Sequence, residues 1–204
     1  MITIFISSFL VNMNKDNALR TLLDLKEVLD SSNVQFWISD GTHLGYYRDS
    51  DFISHDPDID VGIFIEDWEN EVLDKLKRNG FNLKWQFGLE ECGLEYAIEK
   101  RGIKIDLFFF YKNLPNRNIY WHATWFGTYN TPGKFRKMVR CFYEPFELKE
   151  IEFLGYKFLA PKDTEKYIIQ KYGPDWKIPK IKWDWIKDPF NSEEVGIYIE
   201  YQDL

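Results

Sequence analysis

Between Asp40 and Ile65 the chain reads DGTHLGYYRDSDFISHDPDIDVGIFI, and its closing stretch from Asp58 to Ile65 alternates as a β-strand does. Successive side chains of a strand take opposite faces. Asp58 and Asp60 therefore share one side, about 6.5–7 Å apart along the backbone, while Ile59, Val61, Ile63 and Ile65 share the other. The apolar row calls for a core. The acidic row calls for a cation, because two carboxylates on one face resist joint ionisation without one. Oxygen-only ligands suit Mg2+ or Mn2+, and Mg2+ commonly shares its site with substrate phosphates. The stretch reads as a metal-dependent phosphoryl-transfer site carried on a half-buried strand.

The flanking sequence supplies elements to hold such a strand. Over residues 15–30, Ala18, Leu22, Leu25 and Leu29 fall on one helical face with Leu19 and Leu23 beside them, and Ser31, Ser32 and Asn33 end the run. Val34 to Ser39 reads as a strand leading into a tight turn at Gly41-Thr42. After the acidic strand, Asp67 is the expected N-cap of a second helix. Glu69 and Glu71 lie in its first turns, Trp68, Val72, Leu73 and Leu76 form its apolar face, and Gly80 closes it. Strands are expected over Phe81–Gln86, Leu94–Glu99 and Ile103–Tyr111, and a strand pair from Ile151 to Ala160 around Leu154-Gly155. A last helix runs from about Asp163 to Tyr172 and stops at Gly173-Pro174. No repeats, low-complexity tracts or linkers interrupt this order, so the expectation is one α+β domain over residues 1–204, a mixed β-sheet flanked by helices. The opening MITIFISSFLV has about half the length of a bilayer span and lacks a basic n-region. It is expected to be a first strand or a packed segment, neither signal peptide nor membrane span.

Asp106 is the third acidic piece. It interrupts the apolar run IKIDLFFFY, where an aspartate is costly to bury unless it is paired or bound to metal. On a strand beside Asp58 and Asp60 it would complete a triad that bridges a metal and takes the proton from an attacking hydroxyl. The competing reading, an Asp capping a turn or paired with an arginine, accounts for the other two carboxylates less well. Gly41-Thr42 would let backbone N–H groups and the Thr42 hydroxyl approach a phosphate, and Arg48 could clamp one. A solvated loop arginine is an equally good reading of Arg48. Asp56 either extends the acidic cluster or caps the turn at Pro57. His43 and His55 flank the site, whereas His122 reads as an ordinary polar residue; none has the spacing of a structural zinc site. The cations between Lys134 and Arg140 read as a solvated strand face.

Composition narrows the partners. A net charge of −7 argues against non-specific nucleic-acid or anionic-membrane binding, and leaves a small phosphorylated substrate whose charge a metal neutralises. Aromatic residues at 18%, eight of them Trp, imply a ring-rich core with a few exposed rings able to stack on a sugar or base. Cys92 and Cys141 form no disulfide framework, which favours a reducing, cytoplasmic location. P-loop, GxGxxG, Ser-His-Asp and reactive-cysteine patterns are missing.

A Gly-Thr pair, an alternating Asp strand and a third carboxylate strand together resemble the nucleotidyltransferase fold. The segment GTHLGYYRDSDFISHDPDIDVGIFIEDW is similar to the LicD/fukutin family, in its fukutin branch. RGIKIDLFFFY, APKDTEKYIIQKYGPDWKIP and KWDWIKDPFN resemble later blocks of that branch in order, so the likeness covers roughly Val34 to Asn191. The resemblance implies transfer of a substituted phosphate, such as ribitol-phosphate or phosphocholine, from a CDP-activated donor to a glycan hydroxyl, releasing CMP. It implies Mg2+ or Mn2+ on Asp58, Asp60 and Asp106, with Asp106 also the candidate base, and donor-phosphate contacts from Gly41, Thr42 and Arg48. Two alternatives stay open: a nucleotidyltransferase of the same fold that moves a nucleotidyl group from an NTP and releases pyrophosphate, and a degenerate member that only binds a nucleotide or partner.

Overall fold

Strand β2 (Asp58–Phe64) pairs antiparallel with β1 (Phe36–Ile38) and parallel with β5 (Ile103–Leu114). The computed structural model describes residues 13–114, 117–126 and 135–200, so the apolar opening segment expected as a strand lies outside the described residues. Beyond β5 the sheet divides. One branch continues through β4 (Cys92–Lys100) to β3 (Asn82–Leu89). The other leaves the far end of β5 through β6 (Arg117–Phe126) and β7 (Phe135–Tyr143) to β10 (Ser192–Glu200), for eight strands in all. Strands β8 (Leu148–Phe153) and β9 (Tyr156–Pro161) form a separate hairpin turned at Leu154-Gly155, as the sequence suggests.

The apolar row behaves as its period requires. Ile59, Val61 and Ile63 join Ile105, Leu107 and Phe109 in one core, covered by helices α1 (Lys15–Ser31) and α3 (Asn70–Arg78). Asn14 caps α1 by accepting the Asn17 N–H, and Leu22, Leu25 and Leu29 are fully buried, each contributing about 1.5–3 kcal/mol. On the opposite face Trp37, Phe64, Phe108, Phe110, Tyr143 and Tyr167 pack together, with Tyr167 delivered by helix α4 (Thr164–Tyr172). A Cβ on Gly62 would lie 2.3 Å from the Trp37 indole, so this strand position accepts only glycine if the ring is to sit there. One end of that face is thus sealed by rings, and the other carries the aspartates.

Three expectations change. Gly41-Thr42 is not a tight turn but the first turn of a helix, α2 (Asp40–Asp49). Its buried residues are Asp40, Thr42, His43, Leu44 and Gly45, mostly polar, so no apolar periodicity announces it. Asp67 lies in a 3-10 turn (Ile65–Asp67), and Glu69, not Asp67, stands at the N-cap of α3 without a side-chain cap bond. The buried Trp68 lies between the two against Tyr96 and Phe109, and the helix begins only after it. Strands β6 and β10 were not expected, and β7, read as a solvated strand face, buries Met138, Val139 and Cys141. Trp121, His122, Ala123 and Trp125 of β6 are all buried, which erases the polar alternation that would mark an exposed face.

Candidate active site

Helix α2 is stitched to the acidic strand through one residue. The Ser39 N–H donates to the Asp60 carbonyl oxygen at 3.0 Å, and the Asp60 N–H donates to Thr42 Oγ1 at 2.8 Å. The Gly41 N–H donates to Asp60 Oδ2 at 2.7 Å, aiming the helix N-terminus at that carboxylate. A Cβ on Gly41 would stand 2.3 Å from Asp56 Oδ2 and 3.0 Å from Asp60 Oδ2. Glycine is required here by the closeness of the carboxylates.

The β2–β5 register sets Asp60 opposite Asp106 and Asp58 opposite Lys104, all on one face. Lys104 Nζ lies 2.6 Å from Asp58 Oδ2 and 2.9 Å from Asp106 Oδ2, so two of the expected ligands already converge on one cation. Burial, then the charges of Asp58 and Asp56, raises Asp60 well above the usual carboxylate range. Burial pushes Asp56 up to about 8, helped by the charge of Asp58 and a hydrogen bond to it. Asp106 is pushed up to about 6 by burial, with Lys104 opposing. Burial works against the charge on Lys104, but Asp106 and Asp58 outweigh it and raise its pKa.

Among the described residues, no group of three or more His, Cys, Asp or Glu is arranged so that it could hold a metal ion. Asp60 is turned to Gly41 rather than to the point shared by Asp58 and Asp106. The donor chemistry nevertheless fits a hard divalent cation: the ligands are all oxygen, they repel one another, and an ammonium already occupies the space between two of them.

Beside this row lies a second polar group that the sequence did not reveal. Asp40, at φ 39° in the left-handed region, pairs with Lys171 Nζ at 2.6 Å and accepts from Tyr143 Oη at 3.0 Å, with His122 Nε2 3.6 Å away. Its own burial would raise the Asp40 carboxyl, but Lys171, His122 and Tyr143 hold it below the usual range. Burial pushes His122 down to about 4, against the opposing pull of Asp40. His43 is also buried, edge-on to Tyr167 and pushed down to about 3 by burial, so it belongs to the core and not to the site.

Both groups face a cavity of about 1690 Å³, larger than a single small ligand needs. Asp56, Asp58, Asp60, Asp106, Gly41 and Arg48 line it, as do the unexpected Asp40, Lys104, Glu95 and Lys171. Thr42 is buried away from it, its hydroxyl used by the Asp60 N–H. Arg48 is bidentate to Asp49, at 2.9 and 2.8 Å. His55 lines the cavity, and so does Lys137, whose ammonium pairs with Glu194. Strand alternation could have found Lys104, two residues from Asp106, and Glu95, which shares a face with Ala97 and Glu99. Nothing in the sequence marks Lys171, which sits on a helix where lysines are usually solvated.

Residues 33–163 match the family model described as LicD/FKTN/FKRP, nucleotidyltransferase domain. The chain is 35% identical over 173 residues to a protein named ribitol-5-phosphate transferase FKTN from Homo sapiens, covering 84% of this chain and 36% of that protein. It is 28% identical over 156 residues to ribitol 5-phosphate transferase FKRP from Homo sapiens, covering 72% and 29% respectively. The chain thus spans about a third of the length of these curated relatives. Among solved structures, ANT(2″)-Ia in complex with adenylyl-2″-tobramycin aligns with a TM-score of 0.48 at 13% identity, over 82% of each chain.

Proposed function

Since the chain belongs to the LicD/FKTN/FKRP family, we propose that it transfers a polyol-phosphate, ribitol-phosphate first among them, from a CDP-linked donor to a glycan hydroxyl. The observation that carries this reading is the acidic row itself: Asp58 and Asp106 closing on one cation, with the buried Asp60 and the half-buried Asp56 beside them. In the reaction, the acceptor oxygen bonds to the phosphorus bearing the polyol. The bond from that phosphorus to the bridging oxygen breaks, and CMP departs with the electron pair. Asp106, facing the acidic row beside Asp60, is the candidate base that receives the hydroxyl proton.

A Mg2+ or Mn2+ ion held by Asp58, Asp60 and Asp106 would neutralise the diphosphate. Gly41 keeps the α2 N-terminus close to the row, and Arg48 reaches a donor phosphate on exchanging its Asp49 partner. Thr42 serves by fixing the backbone of Asp60. No helix among the described residues is long and apolar enough to cross a membrane.

The test is a thermal-shift panel of CDP-ribitol, CDP-choline, CDP-glycerol, CTP and ATP with and without Mg2+, followed by product analysis. Stabilisation by a CDP conjugate only with metal, and CMP as the released nucleotide, is expected. Pyrophosphate released from CTP or ATP would replace this reading with nucleotidyl transfer.

A further inference from the structure

Across the sheet, paired registers build a row that runs away from the aspartates: Asp60 stands opposite Asp106, Asp106 opposite Ala97, and Ala97 opposite Trp85. Residues directly opposite share a face. Trp85 therefore rises about 10 Å from Asp106, two strand spacings away, with only the methyl group of Ala97 between them. That leaves a slot whose floor is one small side chain and whose outer wall is an indole with 36% of its surface exposed. Glu95, two residues from Ala97 on the same face of β4, borders the slot.

Glu95 is 93% buried, being 7% exposed, and it lines the cavity while its Oε2 has no hydrogen-bond partner among the described residues. Its charged form is supported by the Lys104 ammonium and by a backbone hydrogen bond from Trp125, and neither offsets its burial. A buried carboxyl oxygen without a partner is costly, and an O–H group completes it whether the carboxyl is ionised or protonated. A phosphate finds no cation from Trp85, Ala97 or Glu95 here, and burial and Asp106 hold the Glu95 carboxyl well above the usual range, toward its neutral form. A neutral polyhydroxylated ring suits the position: one apolar ring face stacks on an indole while its hydroxyls meet a carboxyl.

Resting on the transfer reaction above, we propose that Trp85, Ala97 and Glu95 form the acceptor subsite, holding a neutral sugar ring against the indole with a hydroxyl donated to Glu95. The donor nucleotide then occupies the opposite flank, where the α2 N-terminus and Arg48 lie. Attack proceeds from the Ala97 side, toward Asp106.

The test uses the full chain with galactose, glucose and N-acetylgalactosamine as free ring probes, read by saturation-transfer NMR. CMP with Mg2+ is read separately by thermal shift. In Trp85→Ala and Glu95→Ala, the probe signal is expected to fall about tenfold while the CMP–Mg2+ shift is unchanged. Trp85 is an exposed strand residue, so its variant folds even if the buried Glu95 change disturbs packing. Loss of the CMP–Mg2+ shift in Trp85→Ala would overturn the assignment by placing the slot on the donor side. Undiminished probe signals in both variants, or no signal from any probe with the wild-type chain, would overturn it as well. Failure of the transfer reading shows elsewhere, as absence of CMP release from every CDP conjugate, and leaves the probe comparison decisive.

Discussion

Gly41 separates two groups of buried charge made from the same kinds of residue. On one side Asp40 is held by Lys171, Tyr143 and the edge of His122, and its carboxyl is lowered below the usual range. On the other, Asp56, Asp60 and Asp106 are raised, with Lys104 as the neighbouring ammonium. Burial acts on both in the same direction, so the difference comes from the partners. Asp40 has a full-charge partner and a phenol within reach, which more than offsets its desolvation. The acidic row has more carboxylates than cations, and each aspartate suffers from the next. The first group reads as a joint that fixes the start of α2 despite a backbone conformation costing roughly 1–2 kcal/mol. The second stores unfavourable charge that a bound cation relieves.

If that contrast holds, Asp106→Asn lowers turnover by roughly ten-thousandfold, equivalent to about 5.5 kcal/mol, without lowering the melting temperature of the metal-free protein. Mg2+ stabilises the wild-type chain and loses that effect in the variant. CMP release and melting curves with and without EDTA check both halves. A variant that melts much earlier would make the acidic row another structural joint. Lys171→Met should show the reverse pattern: a stability loss of about 3–5 kcal/mol by denaturant titration, because it strands a buried carboxylate. An unchanged unfolding midpoint would remove the distinction from the other side.

The smallest effect concerns pH. His122 has its folded pKa depressed to about 4 and His43 to about 3, against an ordinary value near 6.5. Their contribution is complete above about 6.5 and is lost as pH falls toward 4 and 3, at up to about 1.4 kcal/mol per pH unit for each proton taken up on unfolding. Asp106 and Asp56, raised to about 6 and 8, work oppositely and lose their contribution as pH rises through those values. Replacing His122 by Phe should therefore raise the melting temperature of the variant relative to wild type progressively as pH falls from 6.5 to 4, whatever opposing slope the aspartates give both proteins. Identical slopes in variant and wild type would show that His122 does not titrate on unfolding.

The central strand and its acid pair were legible because the strand period is two, and hydrophobic side chains report that period directly. Asp106 was legible because a lone aspartate in IKIDLFFFY needs a reason. Helix α2 was not, since the face it buries is polar, and β6 was not, since both of its faces are covered. The Gly41-Thr42 pair was found for its position, yet its work differs from expectation: the glycine yields space to carboxylates and the threonine holds a strand.

What the sequence determined by itself is the pattern within each element: which face of β2 is apolar, that an acid pair shares the other, and that a third acid follows on a later strand. Which charges are neutralised was decided only by tertiary structure. Lys171 meets Asp40 across 131 residues of chain, Lys104 meets Asp58 through a parallel register, and Glu95 meets no polar partner at its Oε2 among the described residues. Local periodicity carries no information about those meetings. They depend on strand order and register, and the energy of a buried charge depends on what stands within a few ångströms of it.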